Sequence, residues 1–587
     1  MKRQQQSHDT AHPSLTLLPS ASPQLRCIIP AQSIWPSGAK PSGVYINDYQ
    51  GQAFDYFRRK AMIQLERNMS SAKWTQLALQ LSHETPVFHA AAALGSSYRA
   101  LVQVTHVAFA CPSIDDTEAL GQYCKAIASL RRYLDSAVLR PASLEPVLLS
   151  CLLLVMLEMI RNNSAAALSH LRFGRRLARE YMQPGSSHQL TTGTELRPQS
   201  NVITKELVSM FTQLEEDCVV SSQTGGAGFI SDDLSGYCTR SLSHLSPPLM
   251  TLEDARAQFD ILATASHYLR MDILQIAQSA PPRQRTGPPT SARQTCINQC
   301  MSRAVNLEHH AHLLTRLQSL TNAHSAWFTA LNKLLPNLNE AGQRSTRALA
   351  ILQIRHFYSA FLLSTCRETR EQRSDFFSTQ YPRVLCMAEQ YLTATNPSSE
   401  EETAVRKCPL SPSRPGPRPN FTLDAGVLPT LFLICLKCRD SVVRRRALCA
   451  LRSTDRLEGF LQSRTLATFA ECIIDLEERH AKELLSSEER GGGVVLTADQ
   501  VPEAARILDA VVTTAPTNPT KMHLVCGRYA HDRGGELDVV EYTGTGCPFV
   551  LHRVQESDNL TEVHPFLLHR AQEWDDLTEV HSLLRTG

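Results

Sequence analysis

The stretch that decides the fold is VLLSCLLLVMLEMI, residues 147–160, which is apolar almost all the way round a helix. It is shorter than the roughly 18 residues that a membrane-spanning helix needs, and Glu158 lies near its end. We therefore interpret it as a buried helix at the centre of a mainly α-helical protein, with no membrane anchor.

Apolar residues on both sides of this stretch recur at steps of three and four, as on one face of a helix. In AFDYFRRKAMIQL, for example, they are Phe54, Phe57, Ala61 and Leu65. Further helices are predicted over residues 74–83, 86–98, 120–134, 165–181, 205–219, 251–277, 297–320, 323–335, 344–366, 375–395, 427–438, 441–452, 464–485 and 502–512. The pattern predicts antiparallel helix pairs in an α-solenoid-like array, although no fixed repeat length is present.

Two short segments near the end of this array have the character of strands. They are HLVCGRYA at 523–530 and ELDVVEYT at 536–543, separated by a turn that contains Gly534 and Gly535. This arrangement predicts a small C-terminal β-hairpin.

Changes in composition predict five parts in the chain. They are a disordered tail rich in Ser, Pro and Gln at 1–50, a helical domain at 51–395 with a polar linker near 183–203, a Pro-rich linker or insertion at 396–420, a C-terminal helical part with short strands at 421–545, and a tail at 546–587. In the tail, LHRVQESDNLTEVH at 551–564 recurs as LHRAQEWDDLTEVH at 568–581. Two copies are too few for a solenoid.

The overall charge and the cysteines limit the classes of function. The formal net charge of the 587 residues is +2, so composition gives no support to a basic nucleic-acid-binding surface. The 17 cysteines form no closely spaced framework, which is typical of a reducing compartment. No apolar signal-peptide core follows the N-terminus.

The strongest basic cluster comprises Arg439, Arg444, Arg445, Arg446, Arg452 and Arg456. It could contact phosphate or act as a nuclear-import signal. Asp440, Asp455 and Glu458 are interleaved with it, so the pattern favours a solvated helix face with internal ion pairs.

Cysteine and histidine pairs raise the question of metal binding. Cys435 and Cys438 have the first spacing of a zinc cluster, but Arg445 stands where a third cysteine would be needed. His309 and His312 have a helical spacing suited to one metal ion, with His310 and Glu308 beside them. We interpret the cysteines as packed helix residues and the histidines as an exposed polar face.

No motif of a known enzyme class is present. His83 and His89 flank Pro86, with Ser82 and Glu84 nearby, and this pattern favours capping and core hydrogen bonding over catalysis. The triple glycine at 491–493 lacks the lysine and helix start of a phosphate loop. We therefore predict no catalytic residue and no cofactor.

A family resemblance rests on segments in a fixed order. AFDYFRRKAMIQL, WTQLALQLSHETPVFHAAAALGSSY, ALGQYCKAIASLRRYL and LLSCLLLVMLEMIRNNSAAALSHLRFGRRL resemble the opening of the fungal-specific transcription-factor domain found beside zinc clusters of the Zn2Cys6 type. The resemblance continues to about residue 545 through residues 206–219, 348–365, 421–459 and 465–480. The zinc-cluster module of this family needs six cysteines before this region, and only Cys27 precedes Cys111.

This resemblance implies a nuclear transcription regulator, of the pathway-specific kind found in biosynthetic gene clusters for secondary metabolism. Its partners would be the transcriptional machinery, other regulators or a second copy in a homodimer. Direct DNA binding is not expected without the zinc cluster. The alternative is a DNA-non-binding helical scaffold or co-regulator derived from such a factor. A third class of function is that of a helical enzyme.

Overall fold

The computed structural model describes residues 48–62, 73–103, 117–137, 144–161, 163–182, 249–279, 291–338, 342–395, 420–422, 426–484, 497–515, 518–530, 535–545 and 550–553, together with residues 207, 210, 211 and 214. Over these residues the protein is mainly α-helical, so the predicted fold class is confirmed.

The N-terminal part is a layer of helices around one apolar helix. The helices are α1 Asp48–Tyr56, which continues as a π-helical turn at Phe57–Ala61, then α2 Lys73–Gln80, α3 Thr85–Gln103, α4 Thr117–Ala137, α5 Glu145–Ile160 and α6 Ser164–Met182. Every residue of α5 is buried, as its uniform hydrophobicity predicts. Helices α3 and α6 pack against α5, and α1 and α4 pack against α3.

The middle part contains five helices, three of which are longer than any helix of the N-terminal part. They are α7 Leu252–Ser279, α8 Ser291–Arg303, α9 Ala311–Leu338, α10 Gly342–Thr365 and α11 Gln380–Thr395. Thr251 and Asp254 form the expected capping box at the start of α7, because Asp254 N donates to Thr251 Oγ1 and Thr251 N donates to Asp254 Oδ2. Helices α9 and α10 both pack against α7.

The C-terminal part combines three helices with two small sheets. Its helices are α12 Leu428–Lys437, α13 Ser441–Ser453 and α14 Ser463–Leu484. The first sheet holds β1 Asn420–Thr422, β2 Arg456–Glu458 and β3 Leu461–Gln462, with β1 parallel and β3 antiparallel to β2.

The second sheet is larger than the predicted hairpin. Four antiparallel strands follow one another in chain order, namely β4 Asp509–Ala515, β5 Asn518–Ala530, β6 Glu536–Thr545 and β7 Val550–Arg553. The predicted hairpin is its centre, where Ala530 pairs with Glu536. Gly535 has φ +78°, a conformation that favours glycine at such a turn.

This sheet lies between two helices, so each of its faces contributes residues to a core. On one face Val511, Val525 and Val539 pack against α8. On the other face Val512, Leu524 and Tyr542 pack against α14. The alternation of side chains along each strand produces these two separate cores.

One predicted helix is wrong. Residues 502–512 form a single 3-10 turn at Glu503–Ala505 and then enter strand β4. Side chains take the place of helical hydrogen bonds here: Arg506 Nε donates to Val501 O, and Ile507 N donates to Glu477 Oε1. The β-branched residues that follow then pair with β5.

Three other helix boundaries differ from the prediction. The predicted helix at 297–320 is broken between α8 and α9, where Asn306 caps a 3-10 turn at Leu307–His309. The predicted helix at 323–335 is part of the longer α9. The predicted helix at 375–395 begins as a 3-10 turn at Glu371–Phe377 before α11.

Several predicted segments lie largely or wholly outside the described residues. They are the tail at 1–50, the polar linker near 183–203, the Pro-rich linker at 396–420, the triple glycine at 491–493 and the duplicated tail at 546–587. Of the helix predicted at 205–219, residues Leu207, Met210, Phe211 and Leu214 are described, and all four are helical and buried.

Candidate functional site: the arginine cluster

The six arginines of the cluster at 439–456 divide into two groups of three. Arg439, Arg444 and Arg456 are fully buried, whereas Arg445, Arg446 and Arg452 are about half exposed. The sequence predicted a solvated face for all six, which is wrong for the buried three. Each buried guanidinium instead has a carboxylate partner, because an unpaired charge in a core is very costly.

Arg439 joins two acids that are distant in the sequence. Its Nη1 donates to Glu371 Oε2 at 2.9 Å, and its Nη2 donates to Glu477 Oε1 at 2.7 Å. Arg444 Nη2 donates to the second oxygen of Glu477 at 2.8 Å, while its Nε donates to the carbonyl oxygen of Cys435 at 3.1 Å.

Two further cations complete this arrangement. Lys437 Nζ donates to Glu371 Oε1 at 2.8 Å and to the carbonyl oxygen of Leu508 at 2.7 Å. Arg303, at the end of α8, donates to Glu371 Oε1 at 3.5 Å. We call this set the Glu371–Glu477 network; its members are Arg303, Glu371, Lys437, Arg439, Arg444 and Glu477.

Both carboxylates of the network are held in the charged form. Burial by itself would raise the pKa of Glu477, but Arg439 and Arg444 outweigh it and lower the pKa to about 2. Burial acts in the same way on Glu371, and Lys437 and Arg439 again lower its pKa. Burial lowers the pKa of Lys437, against the opposing effect of Glu371.

A separate buried ion pair lies on strand β2 of the first sheet. Arg456 Nε donates to Glu458 Oε1 at 2.6 Å, and Glu458 Oε2 accepts from the backbone N–H groups of Gly426 and Leu428 at 2.8 and 2.9 Å. A Cβ atom at Gly426 would lie 2.6 Å from Glu458 Oε1, so glycine is required for this close approach. The guanidinium of Arg456 also lies over the ring of Tyr391.

The three half-exposed arginines also have carboxylate partners. Arg445 forms a bidentate ion pair with Glu478, with N–O distances of 2.9 and 2.6 Å. Arg446 contacts Glu389 at 2.7 Å, and Arg452 contacts Glu471. Of the interleaved acids, Glu458 does pair within the cluster. Asp440 instead caps α13, and Asp455 contacts Arg464.

The arrangement therefore cross-links chain segments and presents little unpaired positive charge. Arg303, Glu371, Lys437 and Glu477 lie on four different elements, yet they meet in one buried network. Sequence reasoning missed Glu371, Glu477 and Lys437 as partners. The available signal was a charged residue inside an apolar run, such as Lys437 after LFLICL.

The candidate metal ligands are not brought together. Cys435 Sγ donates to the carbonyl oxygen of Arg444 at 3.7 Å and Cys438 Sγ to that of Asp440 at 4.0 Å, and burial raises their pKa values to about 12 and about 11. His309 ends a 3-10 turn and His312 is the second residue of α9, so the two do not share one helix as their spacing predicted. Both are exposed, as interpreted from the sequence. Within the described ranges, no three His, Cys, Asp or Glu side chains are placed to hold a metal ion.

The candidate catalytic residues make structural contacts, and His83 Nε2 also lies 3.4 Å from Glu84 Oε1. His83 Nδ1 contacts the carbonyl oxygen of Gln80 at 2.7 Å, and Ser82 Oγ donates to the carbonyl oxygen of Leu79 at 2.7 Å. His89 contacts Gln122 Oε1 at 3.1 Å inside the core, and burial lowers the pKa of His89. These are the capping and core hydrogen bonds that the sequence favoured.

The N-terminal helices are fitted closely together around α5. A Cβ atom at Gly174 on α6 would lie 2.6 Å from the ring of Phe211 and 3.1 Å from Cys151 Cβ on α5. Arg175 extends from α6 to the next part of the chain, where it donates to Tyr268 Oη at 3.0 Å and lies over the same ring. The described residues between 54 and 214 therefore form one helical body, with a polar contact to α7.

That helical body lies in a segment that is similar to a known family. Residues 54–219 match the family model described as the fungal specific transcription factor domain, so this part of the chain is similar to that domain. The match to this family model covers the first four resembling segments and residues 206–219. The later resembling segments lie outside the match.

A curated relative points in the same direction as the domain. The chain is 36% identical over 101 residues to the aspercryptin biosynthesis cluster-specific transcription regulator atnN of Emericella nidulans. The alignment covers 16% of this chain and 14% of the length of that protein. No solved structure matches the chain. Over the described residues, no helix is both long and apolar enough to span a membrane.

Proposed function

We propose that this protein is a nuclear regulator of transcription, pathway-specific for a biosynthetic gene cluster. The observation that carries the proposal is the match of residues 54–219 to the fungal specific transcription factor domain, which falls on the helices packed around α5. The cluster-specific regulator that is similar over 101 residues supports the narrower part of the proposal.

The helical body supplies the regulatory part of this function. Some of its buried polar side chains make structural hydrogen bonds, such as those of His89 with Gln122 and of Tyr123 with His170. The family is one of regulators, which are typically not enzymes. We infer that its outer helix faces bind the transcriptional machinery, other regulators or a second copy of the chain. Grooves between helices are a common docking surface for such partners.

DNA contact is not assigned to the arginine cluster. Its buried members neutralise Glu371, Glu458 and Glu477, and its half-exposed members contact carboxylates on neighbouring helices. Phosphate binding would require these ion pairs to open. This supports the alternative function of a DNA-non-binding scaffold or co-regulator derived from a zinc-cluster factor.

One experiment tests the proposal and separates it from the alternative. The gene for the full-length protein is deleted in its native host, and transcripts are measured. In a second strain the protein is tagged, and its chromatin occupancy is mapped. A regulator that binds DNA changes the transcripts of one gene cluster and occupies its promoters. A scaffold changes the transcripts, and its occupancy disappears when a DNA-binding partner is removed. Unchanged transcripts after deletion would contradict both.

A matched pair of variants tests the structural side of the proposal. Leu153→Asp places a charge at a fully buried position of α5, whereas Glu118→Gln changes an exposed residue of α4. We expect the first variant to abolish regulation, because the core of the matched domain cannot accommodate an unpaired carboxylate. We expect the second variant to leave regulation unchanged.

A further inference from the structure

Two thiols converge between α8 and the second sheet. Cys296 and Cys300 are one helical turn apart, are both fully buried and face Gly527 of β5. A Cβ atom at Gly527 would lie 2.4 Å from Cys300 Sγ and 3.1 Å from Cys296 Sγ. Both sulfur atoms therefore point at one spot on the strand, and the absence of a side chain at Gly527 leaves room for them.

The hydrogen bonds of these thiols differ from those of a second buried cysteine pair among the described residues. Cys435 and Cys438 each donate to a separate backbone carbonyl group and not to each other. Cys296, by contrast, hydrogen-bonds with Cys300 as well as lying 3.9 Å from the carbonyl oxygen of Asp509. The third thiol nearby, Cys526, belongs to the core on the α14 face of the sheet.

The geometry points to a binding site for a soft monovalent metal ion, copper(I), held between the sulfur atoms of Cys296 and Cys300. Soft thiolate ligands select such an ion, and a two-coordinate ion needs only two ligands. A structural zinc site needs four ligands, which these residues do not supply. As each metal–sulfur bond forms, the thiol releases its proton to solvent, and the oxidation state of the metal does not change.

The resulting complex needs nearby positive charge. Two thiolates with one monovalent cation carry a net charge of −1, which a buried site must balance, and burial and the carboxylate of Asp509 disfavour negative charge on Cys296. The Glu371–Glu477 network, with four cations and two carboxylates, reaches α8 through Arg303. Arg303 follows Cys300 by three residues on α8, and Lys437 Nζ donates to the carbonyl oxygen of Leu508, the residue before Asp509.

Anaerobic titration of the full-length protein with copper(I), against a chromogenic copper(I) chelator, tests the proposal. The double variant Cys296→Ser/Cys300→Ser is compared with the matched Cys435→Ser/Cys438→Ser, and circular dichroism checks that both fold. We expect the first double variant to lose one bound equivalent relative to the wild type and the second to keep it. Equal stoichiometry in all three proteins, or equal loss in both variants, would overturn the proposal.

A glycine variant keeps the test decisive if a cysteine variant fails to fold. Gly527→Ala retains every thiol but places a methyl group against both sulfur atoms. We expect copper(I) affinity to fall by about tenfold or more, as when a residue that orients metal ligands is changed. We also expect copper(I) to raise the melting temperature of the wild type more than that of this variant. Unchanged affinity would contradict the site.

Discussion

The core around α5 and the core around α14 stabilise the protein by different means. Helix α5 is enclosed by apolar side chains. Glu158 lies in its last turn and contacts Arg161 at the end of the helix. Helix α14 instead places Glu477 at the centre of buried ion pairs with Arg439 and Arg444. We expect the stability of the first core to depend less on salt than that of the second, which depends on the ionisation of its acids.

The largest expected effect comes from removing one charge of the Glu371–Glu477 network. Glu477→Gln keeps the shape of the side chain but leaves Arg439 and Arg444 without their shared carboxylate. We expect the free energy of unfolding to fall by roughly 3–5 kcal/mol, the usual cost of breaking a buried ion pair. Urea denaturation followed by circular dichroism measures it.

The control for this variant is a more exposed acid on the same helix. Glu471→Gln removes the partner of Arg452, whose side chain is 51% exposed. A loss within about 1 kcal/mol is expected, because solvent compensates an exposed arginine. Equal losses in the two variants would show that the buried network has no special importance.

The apolar core should respond slightly less and without dependence on salt. Leu153→Ala in α5 removes fully buried methyl groups, and we expect a loss of about 2–5 kcal/mol at both low and high salt. Leu120→Ala, at a position that is 44% exposed on α4, is the control and should change stability little. A salt-dependent loss in Leu153→Ala would remove the distinction between the two cores.

The next effect concerns pH. The folded-state pKa of Glu477 is about 2, below its ordinary value, so its stabilising contribution is present above the ordinary value and is lost as pH falls towards 2. The stability difference between the wild type and Glu477→Gln should therefore shrink as pH is lowered through the range between those values. A difference that stays constant over that range would contradict the assigned ion pairs.

The smallest effects are expected at two glycines. Gly426→Ala brings a methyl group against Glu458, and we expect a loss of about 1–3 kcal/mol, as for other overpacked sites. Gly121→Ala on α4 meets no atom within 4 Å, so the helix should gain roughly 0.5–1 kcal/mol. Thermal melts of the two variants should shift in opposite directions.

The two cores also differ in how far the sequence predicts them. Helix α5 follows from its uniformly apolar run, and the faces of α6, α12, α13 and α14 follow from periodicity, because each pattern is local. The network does not, since Glu371 and Glu477 are more than a hundred residues apart and only tertiary packing brings them to the same arginines. For β4 a local signal did exist in the β-branched run from Val511 to Thr514, but the preceding residues also fitted a helical pattern.

The position of the second sheet has a consequence for how this protein is made. Its strands are synthesised last among the described elements, yet they cover α8 and α14, which leave the ribosome before them. Until the strands emerge, the nascent chain exposes Cys296, Cys300 and Phe469, and chaperones bind such surfaces. A stop codon before Asp509 would make that exposure permanent, and we expect aggregation or degradation, even though every described helix had already been translated.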